Sequence, residues 1–186
     1  MTAMKQYLAD SARTAAGVNN VNLTLMGSYS KVLHQTLGSV ISGGEADAMK
    51  RSMFYSDPKI AERTQKLTEK VKGLYEALES NDNIELSNDE VDLLHGLLGI
   101  QSEVGELFEE FVTAKIEGRA IDVANFKEEI GDIMWYMALI IRKLSSSFEE
   151  LGDANIAKLK ARYPQRFTQE DALERDLDEE KKALQA

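Results

Sequence analysis

The sequence predicts an all-α protein, a helical bundle built around a central antiparallel helix pair with an N-terminal helical extension. Three observations lead there. Over long stretches of the 186 residues, apolar side chains recur at three- and four-residue spacing and do not alternate. Only two prolines, Pro58 and Pro164, interrupt the chain. Helix start and stop signals stand at the edges of the periodic stretches.

From Val21 to Ile41 the pattern is helical through Leu25, Val32, Leu33 and Leu37, and Gly43-Gly44 is expected to stop it. Asp57-Pro58 reads as an N-cap followed by proline at the first helical position, opening a helix to about Leu78 with Ile60, Leu67, Val71, Leu74 and Leu78 on its inner face. The polar run Ser80-Asn81-Asp82-Asn83 is the best linker. Ser87 followed by Glu90 forms a capping box, and that helix runs to about Glu117, where Gly118 supplies a left-handed end. The next helix starts near Asp122 and continues until Ser145-Ser146-Ser147 weakens it. A shorter one, about Glu149 to Arg162, ends before Pro164 because a residue preceding proline avoids helical angles. The tail from Gln169 carries seven acidic and three basic side chains and reads as a solvated helix or frayed end. The chain thus divides into an extension (1–80), a helical core (84–167) and an acidic tail (168–186).

Composition narrows the chemistry. With no cysteine, disulfides and thiolate metal sites are excluded. The 22 Lys+Arg against 32 Asp+Glu leave a net charge of -10, which disfavours binding a nucleic-acid polymer or an anionic membrane. A cationic partner becomes more attractive. No stretch reaches the roughly 18 apolar residues of a bilayer span, and the N-terminus lacks a secretory apolar segment. A soluble, cytoplasmic protein is expected.

The two central helices share a short repeat, Glu103-Val104-Gly105-Glu106 and Glu129-Ile130-Gly131-Asp132. Residues three apart lie about 60° apart around a helix, so each unit aims two carboxylates the same way. In both helices the pair borders an apolar stripe: Ile100, Val104, Leu107, Phe108 and Phe111 in one, Phe126, Ile130, Ile133, Met134 and Met137 in the other. If the stripes pack together, the four acids converge at the edge and repel unless protonated or neutralised. Mg²⁺ suits an all-oxygen site that shares ligands with phosphates. A di-iron centre built from Glu-x-x-His units does not fit, because neither His34 nor His95 has a Glu three residues before it. The helix-interior glycines Gly105 and Gly131 suggest close approach by a helix or a ligand. Acidic pairs are also frequent on solvated faces, so a helical scaffold protein is the reading from another class.

The pairs stand in a wider pattern. Glu103-x-x-Glu106, 22 residues, Glu129-x-x-Asp132, set within LLHGLLGIQSEVGELFEEF, FKEEIGDIMWYMALI and NIAKLKARYPQRF, resembles the MazG-like all-α nucleoside triphosphate pyrophosphohydrolases. That superfamily also includes the dimeric dUTPases and phosphoribosyl-ATP pyrophosphatases. The likeness covers roughly residues 90–167, and the ending FTQEDALERDLDEEK is similar to phage-borne or stand-alone members. It implies cleavage of a (d)NTP between the α and β phosphates to a (d)NMP and pyrophosphate, by a homodimer or homotetramer. Glu103, Glu106, Glu129 and Asp132 are then the ligands of Mg²⁺, with Mn²⁺ as a substitute, and Glu103 and Glu106 the first candidates to accept the proton of the attacking water. A phosphoribosyl-ATP-type substrate is the alternative within the class.

Four further groups are candidates around the metals. His95 lies on the carboxylate side of its helix, about 12 Å along the axis from Glu103, and Gly99 leaves the intervening surface bare. His95 is expected to meet sugar or base, or else to be a partly buried structural histidine. Tyr136 shares a face with Glu129 and Asp132 and is expected to line the pocket. Trp135 projects elsewhere, toward a core or subunit interface. Lys158, Arg162 and Tyr163 match positions that the resemblance places near the phosphates, supplied by the same or a neighbouring subunit; their plain reading is a basic helix surface. Glu110, on the carboxylate face, is either a supporting acid or a surface one.

Overall fold

The computed structural model describes residues 2–15, 22–24, 26–81 and 83–185. Among them it is helical, without strands, and it separates into two compact units: Met1–Val21 with Leu86–Leu151, and Asn22–Glu85 with Gly152–Ala186. The helices are α1 (Ala3–Ser11), α2 (Tyr29–Tyr55), α3 (Ile60–Glu79), α4 (Asn88–Glu117), α5 (Val123–Lys143), α6 (Phe148–Arg162), α7 (Gln169–Leu173) and α8 (Leu177–Gln185). None is long and apolar enough to cross a membrane.

The first unit is the antiparallel pair α4 and α5, with α1 against α5. Local chemistry sets its boundaries. Ser87 and Glu90 form the reciprocal capping box at the start of α4, and Gly118 closes it at φ 68°. Asp122 caps α5 by accepting from the amides of Ala124 and Asn125. Beyond Lys143, Ser145 turns left-handed at φ 53°. α1 is tied to α5 by side chains: Tyr7 donates to the Gly131 carbonyl (3.3 Å), Trp135 Nε1 to Thr14 Oγ1 (2.7 Å) and Arg142 Nη1 to Ser11 Oγ (2.6 Å). Part of the expected extension thus packs on the helix that carries Glu129.

How α4 meets α5 differs from the sequence expectation. The apolar stripes are only partly enclosed: Phe108, Phe111, Ile130 and Met137 are exposed, while Ile100, Val104, Leu107, Phe126, Ile133 and Met134 are half-buried. The helices meet through small residues on the carboxylate side. A Cβ on Gly96 would fall 2.6 Å from Ile140 Cγ1, and one on Gly99 2.2 Å from the Tyr136 ring. Two glycines on one face let the helices approach more closely there than Leu or Phe would allow, so Glu103 and Glu129 lie at the seam and the outer part of the stripe stays open. Among the described residues, nothing lies within 4 Å of a Cβ built on Gly105 or Gly131, and the contact at Gly131 is instead the Tyr7 hydroxyl on its carbonyl.

In the second unit α2 pairs with α3. The expected start at Val21 lies outside the described residues, and the described helix begins at Tyr29 under a Ser28 cap. Gly43-Gly44 does not end it. Two interior glycines cost about 2 kcal/mol against alanine, but Gly44 admits Leu67 of α3, whose Cδ2 would lie 2.1 Å from a Cβ at that position. α2 ends only at Ser56, which is left-handed at φ 51°. Asp57 lies further from the α3 start than an N-cap. Its carboxylate accepts from Lys59 N (2.9 Å), pairs with Arg63 (2.7 Å) and stands 3.8 Å from Arg51, in a buried position.

The tail is more than a solvated end. Glu180 on α8 is 4% exposed and receives two guanidinium groups, from Arg162 (2.9 and 2.6 Å) and Arg175 (3.0 and 2.6 Å).

Candidate metal centre

α4 brings Glu103 and Glu106 onto one face by their three-residue spacing, and α5 presents Glu129 against them. Carboxylate oxygens of Glu103, Glu106 and Glu129 lie within 4.8 Å of one another. Glu129 is 5% exposed, while Glu106 opens to solvent. Asp132, one turn further along α5, is exposed and falls outside this close set, though its charge reaches the site.

The cluster is electrostatically incomplete. Burial, a hydrogen bond to Glu129 that only the protonated acid donates, and the charges of Glu106, Glu129 and Asp132 push Glu103 up to about 6. Acids arranged this way keep a proton or take up a cation. Three convergent carboxylates, without thiolate or imidazole among them, form a hard oxygen donor set that fits Mg²⁺ or Mn²⁺ and not a softer ion.

Glu129 is itself held. Asn125, one turn earlier on α5, donates from Nδ2 to Glu129 Oε1 at 2.7 Å. The candidates drawn from sequence did not include Asn125, although its i,i+4 relation to Glu129 was readable. Tyr7 was also missed. Its hydroxyl lies beside Gly131, and burial together with the charge of Asp132 raises its pKa. Nothing in the spacing of the acidic pairs points to a residue so distant in the chain.

Tyr136 occupies the surface that Gly99 was expected to leave bare, so the bare groove is not there. Burial first, then the charges of Glu103 and Asp132, raise its pKa and keep the phenol protonated. His95 stands edge-on to Tyr136 (5.7 Å) and to Trp135 (6.2 Å), and the two aromatics meet edge-on at 5.0 Å. Glu110 turns away from the cluster. It grips Arg119 through two bonds (2.6 and 2.7 Å) and accepts from the Asp122 amide (2.7 Å), which lowers it to about 2 and locks the α4–α5 turn. A groove of about 440 Å³ opens beside the cluster, lined by Glu106, Glu109, Glu110, Thr113, Asp122 and Asn125.

Lys158, Arg162 and Tyr163 belong to the second unit. The Arg162 guanidinium is engaged by Glu180 and lies 5.7 Å from the Tyr163 ring, so within the chain its partner is a carboxylate. Tyr163 stacks at a tilt on Phe167, at 5.4 Å. Lys158 is half-buried.

Compared with known families, residues 60–167 match the model of the MazG nucleotide pyrophosphohydrolase domain. The matched span takes in α3 to α6 and all four acids of the repeat. No curated protein and no solved structure matches the chain.

Proposed function

The chain belongs to the MazG nucleotide pyrophosphohydrolase family, and from that premise we propose that it cleaves a (deoxy)nucleoside triphosphate between the α and β phosphates, releasing a (d)NMP and pyrophosphate. The observation that carries this reading is the convergence of Glu103, Glu106 and Glu129 within 4.8 Å, with Glu129 buried. These three hold Mg²⁺ or Mn²⁺, and Asp132 joins them from the next turn. When bound, the cation neutralises phosphate charge and lowers the pKa of water.

The protein's own groups do the rest. Glu103 and Glu106 are the first candidates to accept the proton of the attacking water. The Tyr136 phenol, which burial and the charges of Glu103 and Asp132 keep protonated, is a donor for substrate on the cluster side. His95, with the Trp135 and Tyr136 edges, offers a surface for sugar or base. Phosphate contacts from Lys158 and Tyr163 would come from a neighbouring subunit, as the family resemblance implies, while Arg162 is engaged by Glu180.

The active form is a homodimer or an assembly of such dimers. The outward stripe of α4 supports this, because Phe108 is 60% and Ile116 80% exposed, with Leu97 and Val112 also open. Exposed apolar side chains along one helix are of the kind a two-fold interface buries.

Incubation with the common ribo- and deoxyribonucleoside triphosphates and Mg²⁺ tests the reaction. Pyrophosphate with monophosphate is the expected product pair, and orthophosphate alone would refute it.

A further inference from the structure

The Asn125–Glu129 hydrogen bond gives a role to a residue outside the acidic repeat. We propose that Asn125 is a positioning residue that fixes the Glu129 carboxylate and thereby sets the divalent-cation affinity of the cluster. This assignment rests on the reading that Glu103, Glu106 and Glu129 hold such a cation.

Three observations support it. The Nδ2–Oε1 distance of 2.7 Å is short for a neutral amide donor. Glu129 is 5% exposed, so water offers its carboxylate few alternative partners. Asn125 is also anchored from below: its amide and that of Ala124 donate to Asp122 Oδ1 (3.2 and 2.9 Å), and the Asp122 amide donates to Glu110 Oε1 (2.7 Å), which Arg119 grips. The amide side chain is therefore presented from a tethered helix turn.

The choice of side chain is informative. A lysine at this distance would hold Glu129 equally well but would add a positive charge and compete with the metal. An amide orients the carboxylate and leaves the negative charge of the cluster intact. Carboxylates that ligate metals are commonly held by such outer partners, and loss of one lowers metal affinity by about 10- to 100-fold.

The test measures Mn²⁺ binding to the full chain without substrate, by loss of the free-ion electron paramagnetic resonance signal, for wild type, Asn125→Ala and Asn125→Leu. Leucine keeps the branched shape without the amide and favours the helix more than asparagine does, so one variant folds even where the alanine cavity does harm. Both variants are expected to raise the dissociation constant by about 10- to 100-fold. The metal-free melting temperature should fall in both variants, because the buried Glu129 loses a donor, circular dichroism should show both still folded at the assay temperature, and the Mn²⁺ concentration giving half-maximal turnover should rise in step. Equal Mn²⁺ affinity in all three proteins would overturn the assignment of Asn125 alone. A wild type that binds no Mn²⁺ would overturn the metal reading and this assignment with it.

Discussion

The Tyr136 ring fills the space that a side chain at residue 99 would need, since a Cβ on Gly99 would fall 2.2 Å from ring carbons Cδ1 and Cε1. This contact couples the packing of α4 on α5 to the site, because the same tyrosine senses Glu103 and Asp132 and meets His95 edge-on.

Gly99→Ala should therefore damage both stability and turnover. Overpacking at such a contact costs about 1–3 kcal/mol, roughly 2–4 °C in Tm for each kcal/mol. Displacing the ring by about an ångström should lower kcat/KM by about 10- to 100-fold. Gly73→Ala, on the exposed side of α3 with nothing within 4 Å, should instead raise stability by up to about 1 kcal/mol. Thermal melts of the two variants, with a turnover assay on the first, check the contrast.

Acid sensitivity should trace to the tail. Hydrogen bonds from Arg175 and Arg162 hold Glu180 well below the ordinary glutamate value of 4.5. A lowered carboxylate pKa stabilises the fold above the unfolded-state value, and that stability is lost as pH falls through 4.5 and below. Glu180→Gln should cost about 2 kcal/mol at pH 7, and the gap to wild type should shrink steadily below pH 4.5. Urea melts across that range measure it. A gap independent of pH would contradict the ion-pair account.

The outward stripe predicts assembly. Light scattering should give wild type a mass of at least twice 20.8 kDa, and Phe108→Asp with Ile116→Asp should yield a folded monomer. A wild-type monomer at micromolar concentration would remove the stripe as a dimer interface.

Much of this was legible in the sequence, for local reasons. The ends of α4 and α5 are written in Ser87, Glu90, Gly118 and Asp122, which act within one turn of themselves. The convergence of Glu103, Glu106 and Glu129 followed from a repeat and a hairpin. The packing face did not, because an apolar stripe is read as the inside of a monomer, whereas Gly96 and Gly99 bring α5 to the edge of that stripe. The persistence of α2 through Gly43-Gly44 depends on Leu67, and the engagement of Arg162 depends on Glu180, eighteen residues away. Such partners are chosen by the fold, and no local pattern names them.

On the proposed reading, the acid cluster around the buried Glu129 holds the cation on which pyrophosphate release depends. The most direct measurement follows the products of triphosphate turnover across a Mg²⁺ titration, for wild type and Glu129→Gln. The account predicts monophosphate and pyrophosphate from wild type, no turnover in EDTA, and a loss of at least about 100-fold in the variant. Diphosphate with orthophosphate, or equal metal-dependent turnover in the two proteins, would contradict it.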